Sequence, residues 1–215
     1  MSLGLPPVLR WGAVGGCIIV LVVSLSGLRF PGNRQGYEPV QPIAYSHRLH
    51  AGELKIPCLY CHYGAEKSRN AGIPATSVCM NCHSSIWASP AVMQAAAQHA
   101  ASEKRPLQVA AAPELRKLYD AMGLDEELNM SHAARPIQWL RIHRLPDFVY
   151  FDHRPHVNKG VQCQTCHGPI ETMQRVRQFN DLSMGWCVDC HRKSNHDGIQ
   201  GRRVHATLDC TGCHF

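Results

Sequence analysis

A chain of 215 residues is long enough to bury a sizeable side-chain core, yet only 7% of this one is aromatic, and 17 Gly and 14 Pro interrupt it. That composition argues against an ordinary domain with an aliphatic core and for short loops wrapped around something else. The formal charge of +6 is modest, and the unusual entries in the composition are 14 His and 11 Cys.

In chain order, the first feature is the uncharged run 11–28, WGAVGGCIIVLVVSLSGL, bounded by Arg10 and Arg29. As a helix its 18 residues span about 27 Å, close to the hydrocarbon thickness of a bilayer. A cleaved signal peptide and a retained anchor compete as readings. The length of the run favours an uncleaved N-terminal transmembrane anchor over residues 1–29. Cys17 within it reads as a small apolar helix residue. The Pro- and Gly-containing stretch 30–42 reads as a linker leaving the membrane.

Residues 43–86 form a first unit: Tyr45-Ser-His47-Arg-Leu-His50, then Cys58-x-x-Cys61-His62, then Cys79-x-x-Cys82-His83. Residues 87–138 carry no Cys and insert two expected helices, Pro90–Glu103 and Pro113–Met122. Each has Pro at its start, with Pro106 between them and Gly123 ending the second. Residues 139–194 repeat the first unit as Phe151-Asp-His153-Arg-Pro-His156, Cys163-x-x-Cys166-His167 and Cys187-x-x-Cys190-His191, at offsets of 106, 105 and 108 residues. Residues 195–215 add a fifth motif, Cys210-x-x-Cys213-His214.

Cys-x-x-Cys-His is the attachment signature of a covalent c-type haem. Its two thiols form thioethers to the porphyrin edge, and the adjacent His sits under the iron. Five copies consume ten of the eleven Cys. Tetrahedral zinc would need pairs of pairs, and it gives no reason for a His after every second Cys. Disulfides suit a two-residue spacing poorly. The expected fold is therefore mainly irregular with short α-helices, a multihaem cytochrome c built around five covalently attached c-type haems. Little regular structure is expected at the motifs themselves. Ten propionates against five ferric cores bring the formal +6 to about +1, so the basic residues serve as propionate partners and nucleic acid is excluded.

Rapid electron transfer favours six-coordinate iron, with His or Met on the far side. Nine His lie outside the motifs: His47, His50, His99, His132, His143, His153, His156, His196 and His205. In His47/His50 and His153/His156 the i, i+3 spacing sets both rings on nearly one face of a helical turn, from which they reach two different irons. His143, in the aromatic-rich stretch before the second unit, is the fifth choice. Met173 and Met184 are rivals for one site, His132 and His205 are weaker candidates, and His196 joins them. His99, in an Ala-rich run, is expected to face solvent.

The repeated aromatic-x-His-x-x-His units resemble the class III (cytochrome c3/c7-like) multihaem cytochromes. With five motifs, an N-terminal anchor, RIHRLPDFVYFDHRPH and MGWCVDCHR, the chain resembles in particular the ActA family, the pentahaem subunit of alternative complex III. That resemblance implies an electron-transfer subunit that makes and breaks no bonds. It would take electrons from an iron–sulfur subunit fed by polytopic quinol-binding subunits and pass them toward a monohaem cytochrome c or a periplasmic acceptor. It also implies a bacterial cytoplasmic membrane, with a single pass and the haem domain on the periplasmic side. A stand-alone quinol dehydrogenase of the NapC/NrfH type is the alternative, but those proteins carry four motifs and an early Met ligand, whereas Tyr63-Gly64-Ala65 follows His62 here. A catalytic multihaem reductase would need one five-coordinate iron, and all five motifs end in His.

Overall fold

The computed structural model describes residues 16–22, 33–107, 111–125 and 127–214. Its elements are short: α1 (Cys58–Cys61), α2 (Thr76–His83), α3 (Pro90–Glu103), α4 (Pro113–Met122), α5 (His153–Asn158), α6 (Cys163–His167) and α7 (Met184–Asp197). Between them lie a π-turn, Arg48–Glu53, and 3₁₀ turns at Tyr63–Glu66, Ile170–Thr172 and Cys210–Gly212. Extended pairing among the described residues is limited to isolated bridges, such as Val149 with His214.

The two insertion helices form where the sequence places them. Ser89 caps α3 by accepting from the Val92 amide, with Pro90 in the first turn. Gly123 closes α4 at φ 77°, in the left-handed region that favours glycine. A Cβ there would also meet the His132 carbonyl oxygen at 2.2 Å. Helix α4 packs on the second motif: the Tyr119 hydroxyl, on a side chain only 2% exposed, donates to the His83 carbonyl at 2.8 Å.

The motifs themselves differ from expectation. Four of them lie on helices rather than loops, in α1, α2, α6 and α7, and only the fifth lies in a 3₁₀ turn. The reason is local. One helical turn brings residues i, i+3 and i+4 to one face, so both thiols and the imidazole converge.

The two repeated units interlock reciprocally. The π-turn after His47 packs on Ile170–Thr172, which follows the third motif, and α5 packs on Tyr63–Glu66, which follows the first. In the first direction the Arg48 amide donates to the Met173 carbonyl at 2.9 Å, and Ser46 Oγ donates to Gln174 Oε1 at 2.8 Å. In the other direction the His153 amide donates to the Arg69 carbonyl at 3.1 Å, and Asn158 Nδ2 donates to the Glu66 carbonyl.

The 33–42 stretch lacks regular structure, as a linker should, but it is docked rather than loose. Gly36 N and Tyr37 O pair with the backbone of Gln178, Gln41 exchanges hydrogen bonds with Leu140, and Gln35 Nε2 donates to the Phe179 carbonyl.

The expected transmembrane helix lies mostly outside the described residues. Within it, residues 16–22 are helical, with Ile18, Ile19, Val20, Leu21 and Val22 exposed. Among the described residues no helix is long and apolar enough to cross a membrane. Side chains supply little core: Ala65, Ala100, Leu118, Tyr119, Met173 and Val204 are the buried hydrophobic residues described.

Candidate haem centres

Four motif His each face one His from outside the motifs. The ring centroids of His47 and His62 are 6.4 Å apart with planes 3° from parallel. Those of His153 and His167 repeat both values. His50 and His83 are 6.2 Å apart at 62°, and His156 and His191 are 6.0 Å apart at 31°. Metal–imidazole bonds of about 2.0–2.1 Å, with each centroid roughly 1.1 Å behind its nitrogen, require a separation of about 6.3 Å across one shared ion. The four spacings fit that requirement.

The aromatic residue that opens each unit holds the distal pair. Tyr45 meets His47 edge-on at 4.9 Å and stacks on His50 at 4.4 Å. Phe151 meets His153 at 4.9 Å and His156 at 4.8 Å in the same way. As the spacing implies, the two rings of each pair reach different motifs.

The outer nitrogens are arranged to leave Nε2 free for iron. Nδ1 donates to a backbone carbonyl in His62 (Gly72, 2.8 Å), His83 (Ile86, 2.9 Å) and His191 (Thr207, 2.6 Å). His50, His153 and His156 do the same toward Ser46, Arg69 and Asp152, each at 2.8 Å. Such partners fix the tautomer and orient a ligating ring. Two of the eight paired rings differ: His47 Nδ1 is buried without a partner, and His167 Nδ1 meets another imidazole. Burial first, then the neighbouring His62 and His50, pushes His47 down to about 4. Burial, then His143, His153, His62 and His47, pushes His167 to about 3. These rings are therefore neutral at pH 7 and carry the lone pair a metal needs.

None of the eleven Cys is paired in a disulfide, and among the described residues no group of three or more His, Cys, Asp or Glu converges as a cage for a metal ion. Ten Cys beside four imidazole pairs of matching separation fit a macrocycle that brings its own equatorial nitrogens.

Thiols of different motifs approach one another in a definite order. Cys61 is pushed up by burial, then by Cys58 and by Cys82 of the second motif, and Cys79 by burial and then by Cys61. Cys163 is raised by burial and by Cys58, with which it hydrogen-bonds. Burial, then Cys190 and Cys187, pushes Cys166 up to about 11, and Cys187 is raised by burial and by Cys213. The motif Cys thus neighbour one another in the order second motif, first, third, fourth, fifth. The sequence does not reveal this order, because the junction between Cys58 and Cys163 comes from the interlock of the two units.

The fifth motif is held differently. The Tyr150 amide donates to the Cys213 carbonyl at 2.7 Å, and the ring beside His214 is Phe148, at 5.7 Å. His143, expected as the fifth distal ligand, is instead brought to the third motif, where its Nε2 lies 3.2 Å from His167 Nδ1. His132 spends both nitrogens, one on the Ala133 carbonyl and one on Asp120. His196 faces solvent beside Asp197, His99 is exposed next to Glu103, and His205 is exposed. Met173 is buried in the interlock, whereas Met184 is 69% exposed at the start of α7, one turn before Cys187.

Residues 149–215 match the family described as cytochrome c7 and related cytochrome c. The chain is also 24% identical over 195 residues to the multihaem cytochrome c subunit of menaquinone reductase from Nitratidesulfovibrio vulgaris, an alignment covering 81% of this chain and 76% of that protein. The second unit and the fifth motif are thus cytochrome c7-like, and over most of its length the chain is similar to a multihaem cytochrome c subunit of a quinone-linked complex.

Proposed function

We propose that this chain is the electron-relay subunit of a membrane-bound, quinol-oxidising complex of the alternative complex III type, with five covalently attached c-type haems. The observation that carries the reading is the set of four imidazole pairs at 6.0–6.4 Å, each one motif His facing one non-motif His. Bound haem iron supplies a reversible one-electron couple.

The residues do the rest. His62/His47, His83/His50, His167/His153 and His191/His156 are the pairs that would hold the irons, and six of these eight rings are oriented by an Nδ1 bond to a backbone carbonyl. His214 is the proximal residue of the fifth site. Met184 is proposed as its partner, because it lies one turn before Cys187, whose thiol neighbours Cys213. The order in which the motif Cys neighbour one another gives the relay two ends, at the second and fifth motifs. Exposed aliphatic side chains over residues 18–22 support an N-terminal anchor over 11–28 and hence a single-pass protein with its haem domain on the periplasmic side. An iron–sulfur subunit, polytopic quinol-binding subunits and a monohaem cytochrome c are the proposed partners.

A second reading reverses the direction. The relative is named for a menaquinone reductase, and the same relay serves equally to deliver electrons to a quinone. Gentle extraction from the native membrane, with mass spectrometry of the co-purifying subunits, tests the assembly. An iron–sulfur subunit with polytopic partners is expected. Recovery of the chain alone would shift quinol chemistry onto this protein, as in the NapC/NrfH type. Adding quinol with a ferric acceptor, or a reduced donor with quinone, then separates the two directions.

A further inference from the structure

Of the motif His whose Nδ1 has a described hydrogen-bond partner, three point that nitrogen at a backbone carbonyl, and the fourth, His167, points it at another imidazole. His167 Nδ1 and His143 Nε2 are 3.2 Å apart, with the two rings nearly perpendicular at 88° and 4.4 Å between centroids. On the other side of His167 stands His153, at the 6.4 Å spacing of an axial pair. His143 is therefore not across an iron from His167 but behind it.

The tautomers follow. If Nε2 of His167 is committed to iron, its remaining proton is on Nδ1, which must donate. His143 Nε2 then accepts, and the His143 proton lies on its own Nδ1. His143 is half-buried, and the Arg141 Nε donates to its backbone carbonyl at 3.1 Å. The equivalent residue in the first unit, His62, donates to the Gly72 carbonyl, so the two otherwise matching units differ at this point.

We propose that His143 is a positioning residue that makes His167 a stronger axial donor than its counterparts and thereby sets the potential of the third haem below that of the first. An imidazole nitrogen is a more basic acceptor than an amide carbonyl, so it draws the Nδ1 proton further from His167 and raises the electron density on Nε2. A more basic axial ligand favours ferric iron. The consequence is an asymmetry in the middle of the motif order, where the third motif joins the first. This inference rests on the axial pairing proposed above.

The test uses the complete holoprotein and the substitutions His143→Leu, which removes the acceptor, and His143→Gln, which offers an amide oxygen in its place. Haem content, low-temperature ferric spectra and a spectroelectrochemical titration are measured on each. The expected result is unchanged haem content and low-spin signals throughout. One midpoint rises in His143→Leu by a tenfold change in the ferric/ferrous equilibrium, about 59 mV for one electron. The rise is smaller in His143→Gln. Unmoved midpoints in His143→Leu would overturn the proposal. So would loss of haem in both variants, which marks a structural role, or a new high-spin signal, which makes His143 a ligand itself. His167→Ala is the separate check on the underlying reading: if the third haem remains six-coordinate and low-spin in it, the axial pairing falls rather than the role of His143.

Discussion

Replacing Gly52 with Ala probes the reciprocal interlock at its tightest point. A Cβ on Gly52 would lie 2.2 Å from the Glu171 carbonyl oxygen and 3.3 Å from its carbon. Comfortable heavy-atom separations begin near 3.5 Å, so the two backbones must part by roughly 1.3 Å. No flexible side chain can yield in their place. Overpacking of this kind costs about 1–3 kcal/mol, and the better helix propensity of Ala returns up to about 1 kcal/mol. The expected outcome is a net loss of up to about 2 kcal/mol, at about 2–4 °C of melting temperature per kcal/mol for a chain this long. Gly185→Ala is the control: it also sits in a helix, but its nearest neighbour would be Ser183 Oγ at 3.9 Å, so only the propensity gain remains. Thermal melts of both variants at equal haem content decide the matter. A Gly52→Ala protein that melts with or above Gly185→Ala would refute the close approach of the two units.

The axial pairing makes a selective prediction: His47→Ala should give one high-spin ferric signal from the first motif and His50→Ala one from the second, resolved by repeating each in a variant lacking that motif's Cys pair. Tyr119→Phe removes a donor to the buried side of the His83 carbonyl and should cost about 1–3 kcal/mol in denaturant unfolding. Acid should destabilise the fold from neutrality downward. His143, which holds no iron in this reading, is kept near 4 by burial and then by His153 in the folded chain against an ordinary 6.5, so the unfolded chain binds more protons between those values. Stability is therefore full above about pH 6.5 and declines as pH falls toward 4, which urea midpoints at pH 7.5 and pH 5 will register.

The motifs are legible in the sequence because Cys-x-x-Cys-His is written in five contiguous positions. So are α3 and α4, because Pro at one end and Gly123 at the other are local signals. The split of His47 and His50 between two motifs was legible from spacing alone. The site of His143 was not, since only the folded route of residues 139–151 brings it behind His167, and nothing within its own segment marks that neighbour. The helical setting of the motifs was readable from the i, i+3, i+4 pattern of Cys, Cys and His, a signal outweighed by the Gly and Pro content. The motif order depends on contacts more than 100 residues apart, for which a single sequence holds no pattern.

The interlock also has a geometric meaning. Two units that touch through the same patch, once in each direction, form an isologous interface contained within one polypeptide. A single unit made alone would leave its π-turn and its post-motif loop uncovered, and a second copy would cover both by a two-fold rotation. Such a pair would be indifferent to which end received an electron. The third motif's imidazole acceptor and the appended fifth motif remove that equivalence, so the covalent joining of the halves is what permits this protein to have a front and a back.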